Sequence, residues 1–217
     1  MLNSPVPSPH RFDDQYAFRK TGSTTAAIIK FFTTITAALR DNEFVRVISL
    51  DFSKAFDTVR HQTLMNKLSV LPVPDNVYNW IANFIDNRSH CTLMNREKSS
   101  EQQIQASVVQ GSAIGPALFI CNASDLHEIT PGNNLDKYAD DTWIVISSKN
   151  SDSSAAELEN IANWAVENNQ KLNKSKSVEI IFTDPANKRT MSFPPEYHEI
   201  LRNTTSPFTQ TVRCYNN

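Results

Sequence analysis

Asn134-Leu135-Asp136-Lys137-Tyr138-Ala139-Asp140-Asp141-Thr142-Trp143-Ile144-Val145-Ile146 is the stretch that decides the fold. Two strand-like runs flank Tyr138-Ala139-Asp140-Asp141, which predicts a β-hairpin with adjacent carboxylates at its tip. Along a regular strand, neighbouring side chains face opposite ways. At a tight turn both can reach one space, where unneutralised carboxylates repel strongly and invite divalent cations. A carboxylate at the end of a second strand would complete a metal cradle. Phe44-Val45-Arg46-Val47-Ile48-Ser49-Leu50-Asp51-Phe52 reads as that strand, buried and rich in apolar residues, with Asp51 at its carboxyl end. Taken alone, Asp51 reads more readily as a cap for the helix that begins near Ser53.

Working outward, Ser23 or Thr24 can cap a helix in which Ile28, Phe31, Phe32, Ile35, Ala38 and Leu39 recur at helical spacing. A helix through Leu64, Leu68 and Leu71 stops at Pro72 and Pro74, and Asp75 can cap another carrying Val77, Ile81, Phe84 and Ile85. Residues 90–95 and 102–109 read as a strand pair joined by the polar loop Arg96–Ser100. Gly115-Pro116 opens a helix, with proline at its start. Ser151–Ser154 can cap a helix through Leu158, Ile161, Ala162 and Ala165, and Val178–Phe182 forms a last strand. The expected fold is therefore α+β, an antiparallel sheet with helices packed on one face. Residues 1–11, with three prolines, read as a disordered lead-in, and the proline-bearing segment 184–217 as a weakly structured tail. Residues 12–183 form the expected domain.

At 217 residues, 40% hydrophobic and 20% charged, the chain has ordinary globular composition and enough length for a sizeable core. A net charge of −2 and a pI near 6.2 announce no basic nucleic-acid or membrane surface. The three cysteines are far apart, so they offer neither a disulfide framework nor a zinc site. No apolar run reaches the ~18–20 residues of a membrane span, and no signal-peptide core is evident. The expectation is a soluble intracellular protein, nuclear or cytoplasmic, that is not secreted. Glycine is scarce, four in all, so Gly22, Gly111, Gly115 and Gly132 read as backbone requirements.

Leu50-Asp51-Phe52-Ser53-Lys54-Ala55-Phe56-Asp57, Gln110-Gly111-Ser112-Ala113-Ile114-Gly115-Pro116, Tyr138–Asp141 and Lys171–Ser177 follow one another in the order of a reverse transcriptase motif series. Together with Phe18–Thr24 they resemble the domain of non-LTR retrotransposons of the LINE or jockey type. The resemblance covers roughly residues 12–183, and four ordered motifs are far more specific than one.

That resemblance implies a polymerase palm with part of the fingers, acting as an RNA-directed DNA polymerase on an RNA template, a DNA primer and deoxynucleoside triphosphates. It implies two Mg2+ ions, with Mn2+ as a possible substitute, held by Asp51, Asp140, Asp141 and the Phe52 carbonyl. Lys176 matches a lysine proposed to protonate or steady the departing pyrophosphate, with Lys174, two residues away, as the alternative. Phe56 matches the bulky residue beneath the incoming sugar, and Gln110, Gly111, Tyr138 and Ala139 line the template–nucleotide pair. From the residues alone, Phe56 reads as core, Gln110-Gly111 as a loop–helix junction, and Asp57 with Arg60 as a structural i,i+3 pair. Arg19 reads as a capping or packing residue rather than a nucleotide contact.

The family's arginine-bearing fingers segment and helical thumb are not recognisable at the two ends. Weak primer–template binding is therefore expected. A second reading is a non-catalytic remnant that binds nucleic acid or serves as a scaffold. A third, an RNA-dependent RNA polymerase, favours a smaller or polar residue where Phe56 stands.

Overall fold

The structure, a computed structural model, describes residues 9–183 and 211–212. In chain order its helices are α1 (Thr24–Leu39), α2 (Ala55–Thr58), α3 (His61–Val70), α4 (Asp75–Ile85), α5 (Gly115–Asn122) and α6 (Ser154–Glu167). The first strands are β1 (Phe44–Leu50), β2 (Phe52–Ser53), β3 (Ser89–His90), β4 (Leu93–Met94), β5 (Glu97–Lys98) and β6 (Gln102–Gln103). They are followed by β7 (Asn134–Tyr138), β8 (Asp141–Ser147), β9 (Lys171–Leu172), β10 (Val178–Thr183) and β11 (Thr211–Val212). The described residues fall into two compact units, one built on 12–53, 126–183 and 211–212, the other on 9–11 and 54–125.

The first unit carries a five-stranded sheet in the order β11-β10-β1-β8-β7. Its β7–β8, β8–β1 and β1–β10 pairs are antiparallel, and β11 joins β10 in parallel. β1 is central and buried along almost its whole length, which explains its unalternated apolar run. On one face Val45, Val47 and Val145 pack against Ile35 of α1, with Phe31, Trp143 and Phe182 edge to face around them. The buried stripe of α1 runs through Ala27, Phe31, Ile35 and Ala38, whereas Ile28 and Phe32, expected to face inward, are more than half exposed. Ser23 caps α1 as expected, accepting from the Ala26 amide at 3.0 Å.

β1 also carries Arg46, charged yet 1% exposed. Its guanidinium lies 2.6 Å from Glu179 on β10 and donates to Ser154 Oγ, at the start of α6, at 2.7 Å. A buried cation is tolerated only with such partners. α6 buries Leu158, Ile161, Trp164 and Ala165; Ala162, expected on the buried face, is exposed, and Trp164 instead packs against Phe52, edge to face at 5.8 Å. No side-chain cap starts α6, since a 3-10 turn over Ser148–Ser153 leads into it.

In the second unit, α3 and α4 form where the leucine and isoleucine spacing predicts, but Pro74 rather than Asp75 occupies the cap of α4. The expected strand pair is broken into β3–β6 and β4–β5, turning at Asn95 and Arg96, both with positive φ. Its residues are exposed, so no buried face extends the ladder. α2 ends at Thr58, so Arg60 lies outside it, and Asp57 instead accepts from Gln110 Nε2 at 2.8 Å.

The expected lead-in and tail fall mostly outside the described residues. Where they are described, they are held: His10 is buried with its ring Nδ1 2.8 Å from Ser124 Oγ, and β11 pairs with β10.

Candidate active site

Sheet register brings the carboxylates together. Leu50 pairs with Thr142 and Tyr138 pairs with Asp141, so Asp51 and Asp141 are the next residues along their two chains, at one end of the sheet. Asp51 is half-buried, and its backbone is clasped by the turn between β9 and β10. The Asn173 amide donates to the Asp51 carbonyl at 2.7 Å, and the Asp51 amide donates to Ser177 Oγ at 3.3 Å. Ser177 Oγ in turn donates to the Asn173 carbonyl at 2.9 Å. The Lys171–Ser177 motif thus braces the strand end that presents Asp51. Lys176 itself is exposed in that turn.

The Tyr138–Asp141 hairpin is as predicted, with a two-residue turn whose first residue, Ala139, has φ 57°. An L-residue in the left-handed region costs about 1–2 kcal/mol, so something must hold it there. The segment Asp14–Ala17 does. It runs parallel to the outer edge of β7, with the Lys137 amide donating to Asp14 O at 2.7 Å and the Tyr16 amide to Lys137 O at 2.8 Å. Gln15, 2% exposed, accepts from the Ala139 amide at 2.9 Å and donates to the Ala139 carbonyl at 3.3 Å. Lys137 is buried against Asp14 at 2.9 Å and donates to the Leu126 carbonyl.

Arg19 donates to the carbonyls of Phe12 and Gln15, so it closes the loop that carries the brace, in keeping with a packing role. Gly22 folds over the same loop, where a Cβ would overlap the Tyr16 carbonyl. Sequence reasoning reached Arg19 and Gly22 but missed Gln15. Its signal was one buried glutamine just ahead of the Phe18–Thr24 motif, and only the fold says what it faces.

Asp141 is exposed, yet its carboxyl is pushed above the ordinary carboxylate range by desolvation at the turn and by the negative charges of Asp140 and Asp51. Register and chain adjacency, with Asp51 beside Asp141 and Asp140 next to it in sequence, set all three residues at the same end of the sheet. Among the described residues, no three His, Cys, Asp or Glu side chains stand close enough to hold a metal ion by themselves. The donor chemistry nonetheless fits a hard divalent cation, which takes oxygen ligands and completes its shell with waters and substrate phosphates rather than a protein cage.

The remaining sequence-predicted residues belong to the second unit. Phe56 is half-buried and stacked on Phe119, with ring centroids 4.2 Å apart. Gln110 and Gly111 are exposed, Gln110 being tethered to Asp57. Gly111 has φ 81° with open space around it, so the turn needs its conformation rather than its small size. At Gly115 a Cβ would stand 2.7 Å from the Val109 carbonyl, so there size decides.

A family model for reverse transcriptase (RNA-dependent DNA polymerase) matches residues 2–201. The chain belongs to the reverse transcriptase family. The RNA-directed DNA polymerase from mobile element jockey of Drosophila melanogaster is 29% identical, over 83% of this chain and 20% of that protein. The probable RNA-directed DNA polymerase from transposon BS of the same species is 28% identical, over 79% of this chain and 20% of its own length. The chain therefore spans about a fifth of the length of these relatives. Among solved structures, the telomerase of Candida tropicalis matches with a TM-score of 0.62 at 13% identity, over 83% of this chain and 32% of its own. The fold is thus of the polymerase palm type. Reverse transcriptase domains generally use divalent metal ions. None of the described helices is long and apolar enough to cross a membrane.

Proposed function

We propose that this chain carries the catalytic palm of an RNA-directed DNA polymerase, joining deoxynucleotides to a primer 3′-hydroxyl on an RNA template. The observation that carries the reading is the register that sets Asp51 beside Asp141, with Asp140 adjacent in the turn, at one end of the sheet. Asp51 and Asp140 would hold two Mg2+ ions, or Mn2+ in their place, with the Phe52 carbonyl as a further oxygen. When bound, these ions lower the pKa of the primer hydroxyl and offset charge on the leaving pyrophosphate. Asp141 adds negative charge to the cradle and is the most replaceable of the three. As the primer 3′-hydroxyl oxygen attacks the α-phosphorus its proton passes to solvent water, the bond to pyrophosphate breaks, and Lys176 protonates or steadies the departing group.

Phe56 sits beneath the incoming sugar and rejects a ribose 2′-hydroxyl, the group that distinguishes RNA chemically. Gln110, Gly111, Tyr138 and Ala139 line the template–nucleotide pair. The reading is supported by the family match and by relatives named as RNA-directed DNA polymerases.

The test is primer extension on an RNA template with Mg2+ and deoxynucleotides, run beside Asp140→Asn. Extension by the natural sequence that disappears in the variant supports the reading. A folded natural chain that extends nothing, or a variant that extends equally well, overturns it.

A further inference from the structure

Gln15 makes three hydrogen bonds from one buried amide. Its Oε1 accepts from the Ala139 and Ala17 amides, both at 2.9 Å, and its Nε2 donates to the Ala139 carbonyl at 3.3 Å. Ala139 immediately precedes Asp140, and its positive φ sets the direction in which the turn presents both aspartates. A hairpin turn of this kind has no ladder partner for its own amide and carbonyl. Gln15 supplies both, from a segment 124 residues away in sequence.

The support behind Gln15 is itself fixed. Lys137 exchanges backbone bonds with the Asp14–Tyr16 segment, donating to the Asp14 carbonyl and accepting from the Tyr16 amide, and its side chain pairs with Asp14. Arg19 closes the loop from the other side through the Gln15 carbonyl at 3.1 Å. The side chain therefore has little freedom to release the turn. Asparagine at this position would be one methylene too short to span from the same backbone. Methionine would fill the space but leave the Ala139 amide without its partner.

We infer that Gln15 is a positioning residue for the active site, its amide locking the Ala139 turn so that Asp140 and Asp141 are held in fixed geometry toward Asp51. Its catalytic consequence rests on the polymerase reading above; its effect on the turn does not. Groups that hold first ligands in place typically change metal affinity or activity about 10- to 100-fold when removed. Misplacing reacting groups by about an ångström costs turnover on a similar scale, about a hundredfold.

The experiment uses the full chain, natural and Gln15→Met. Hydrogen exchange at the Ala139 amide is followed by NMR, Mn2+ binding by electron paramagnetic resonance, and primer extension by kcat and KM for deoxynucleotide. Expected in the variant are fast Ala139 exchange with unchanged exchange in β1 and β8, Mn2+ affinity lower by about 10- to 100-fold, and a fall in kcat larger than any rise in KM. Wild-type exchange at Ala139 together with wild-type Mn2+ affinity overturns the inference. If the natural chain does not extend primers, the polymerase reading falls while the exchange arm still decides the role of Gln15. Should Gln15→Met not fold, Gln15→Asn replaces it, keeping a polar amide that is one methylene too short to reach the Ala139 amide. Faster Ala139 exchange there supports the inference, and unchanged exchange refutes it.

Discussion

Replacing Asp136 by asparagine isolates one buried charge whose cost can be worked from the structure. Asp136 lies on β7, 4% exposed, directly across from Trp143 in the register. Its carboxyl is pushed up to about 6, first by desolvation and then by Asp14 and Glu128, against the opposing pull of Lys30 on α1 and of Lys137. Among the described residues, one Asp136 carboxylate oxygen and the Trp143 indole N–H are both buried without a hydrogen-bond partner. A group whose folded pKa lies above its unfolded value binds more protons when folded. Its contribution therefore falls as pH rises, beginning near the unfolded value of about 4 and ending above about 6. A shift of roughly two units corresponds to about 3 kcal/mol.

The natural chain should lose that amount between about pH 4 and pH 7 relative to Asp136→Asn, which cannot ionise. Urea unfolding, followed by tryptophan fluorescence across this range, measures the gap. The two proteins should be nearly equal near pH 4, with the variant more stable by up to about 3 kcal/mol near neutrality. A gap that is constant with pH, or that favours the natural chain increasingly as pH rises, would refute the reasoning.

Lys137→Met should destabilise the chain by about 3–5 kcal/mol in urea unfolding, because it leaves the buried Asp14 carboxylate without its cation. A loss below about 1 kcal/mol would show that Asp14 finds another partner. Gly22→Ala should cost about 1–3 kcal/mol by the same measurement, since the new methyl group must displace the Tyr16 carbonyl. Phe56→Ala should raise incorporation of ribonucleotides relative to deoxynucleotides by roughly 10- to 100-fold; unchanged selectivity would leave the ring as packing for Phe119 alone. Of the two described cysteines, exposed Cys91 should react readily with a thiol reagent at neutral pH. Cys121, whose thiol burial pushes up to about 11, should react only on unfolding.

Much of the palm was legible because its signals are local. The Tyr138–Asp141 hairpin, the β1 strand ending at Asp51, and the α1 helix capped by Ser23 each follow from short-range pattern and turn chemistry. Where elements were misread, the missing information was tertiary. Ile28 and Phe32 fit the helical period as well as Phe31 does, yet only the side facing Val45, Val47 and Trp143 is buried. Trp164 rather than Ala162 completes the α6 face, because Phe52 is the surface it meets. The broken β3–β6 hairpin lacks a core to enforce a continuous ladder, and no local pattern announces that lack.

The residue types of the candidate site are a property of the sequence: adjacent aspartates at a turn, a third at a strand end, and a motif order that names the family. Their convergence is a property of the register, which sets Asp51 beside Asp141 although 90 residues separate them in the numbering. The braces are tertiary as well. Asn173 and Ser177 clasp Asp51, and Gln15 holds Ala139 from the far end of the chain. A hydrogen bond across such a distance leaves no periodicity to read, because it depends on where two backbones meet and not on what stands next to either one.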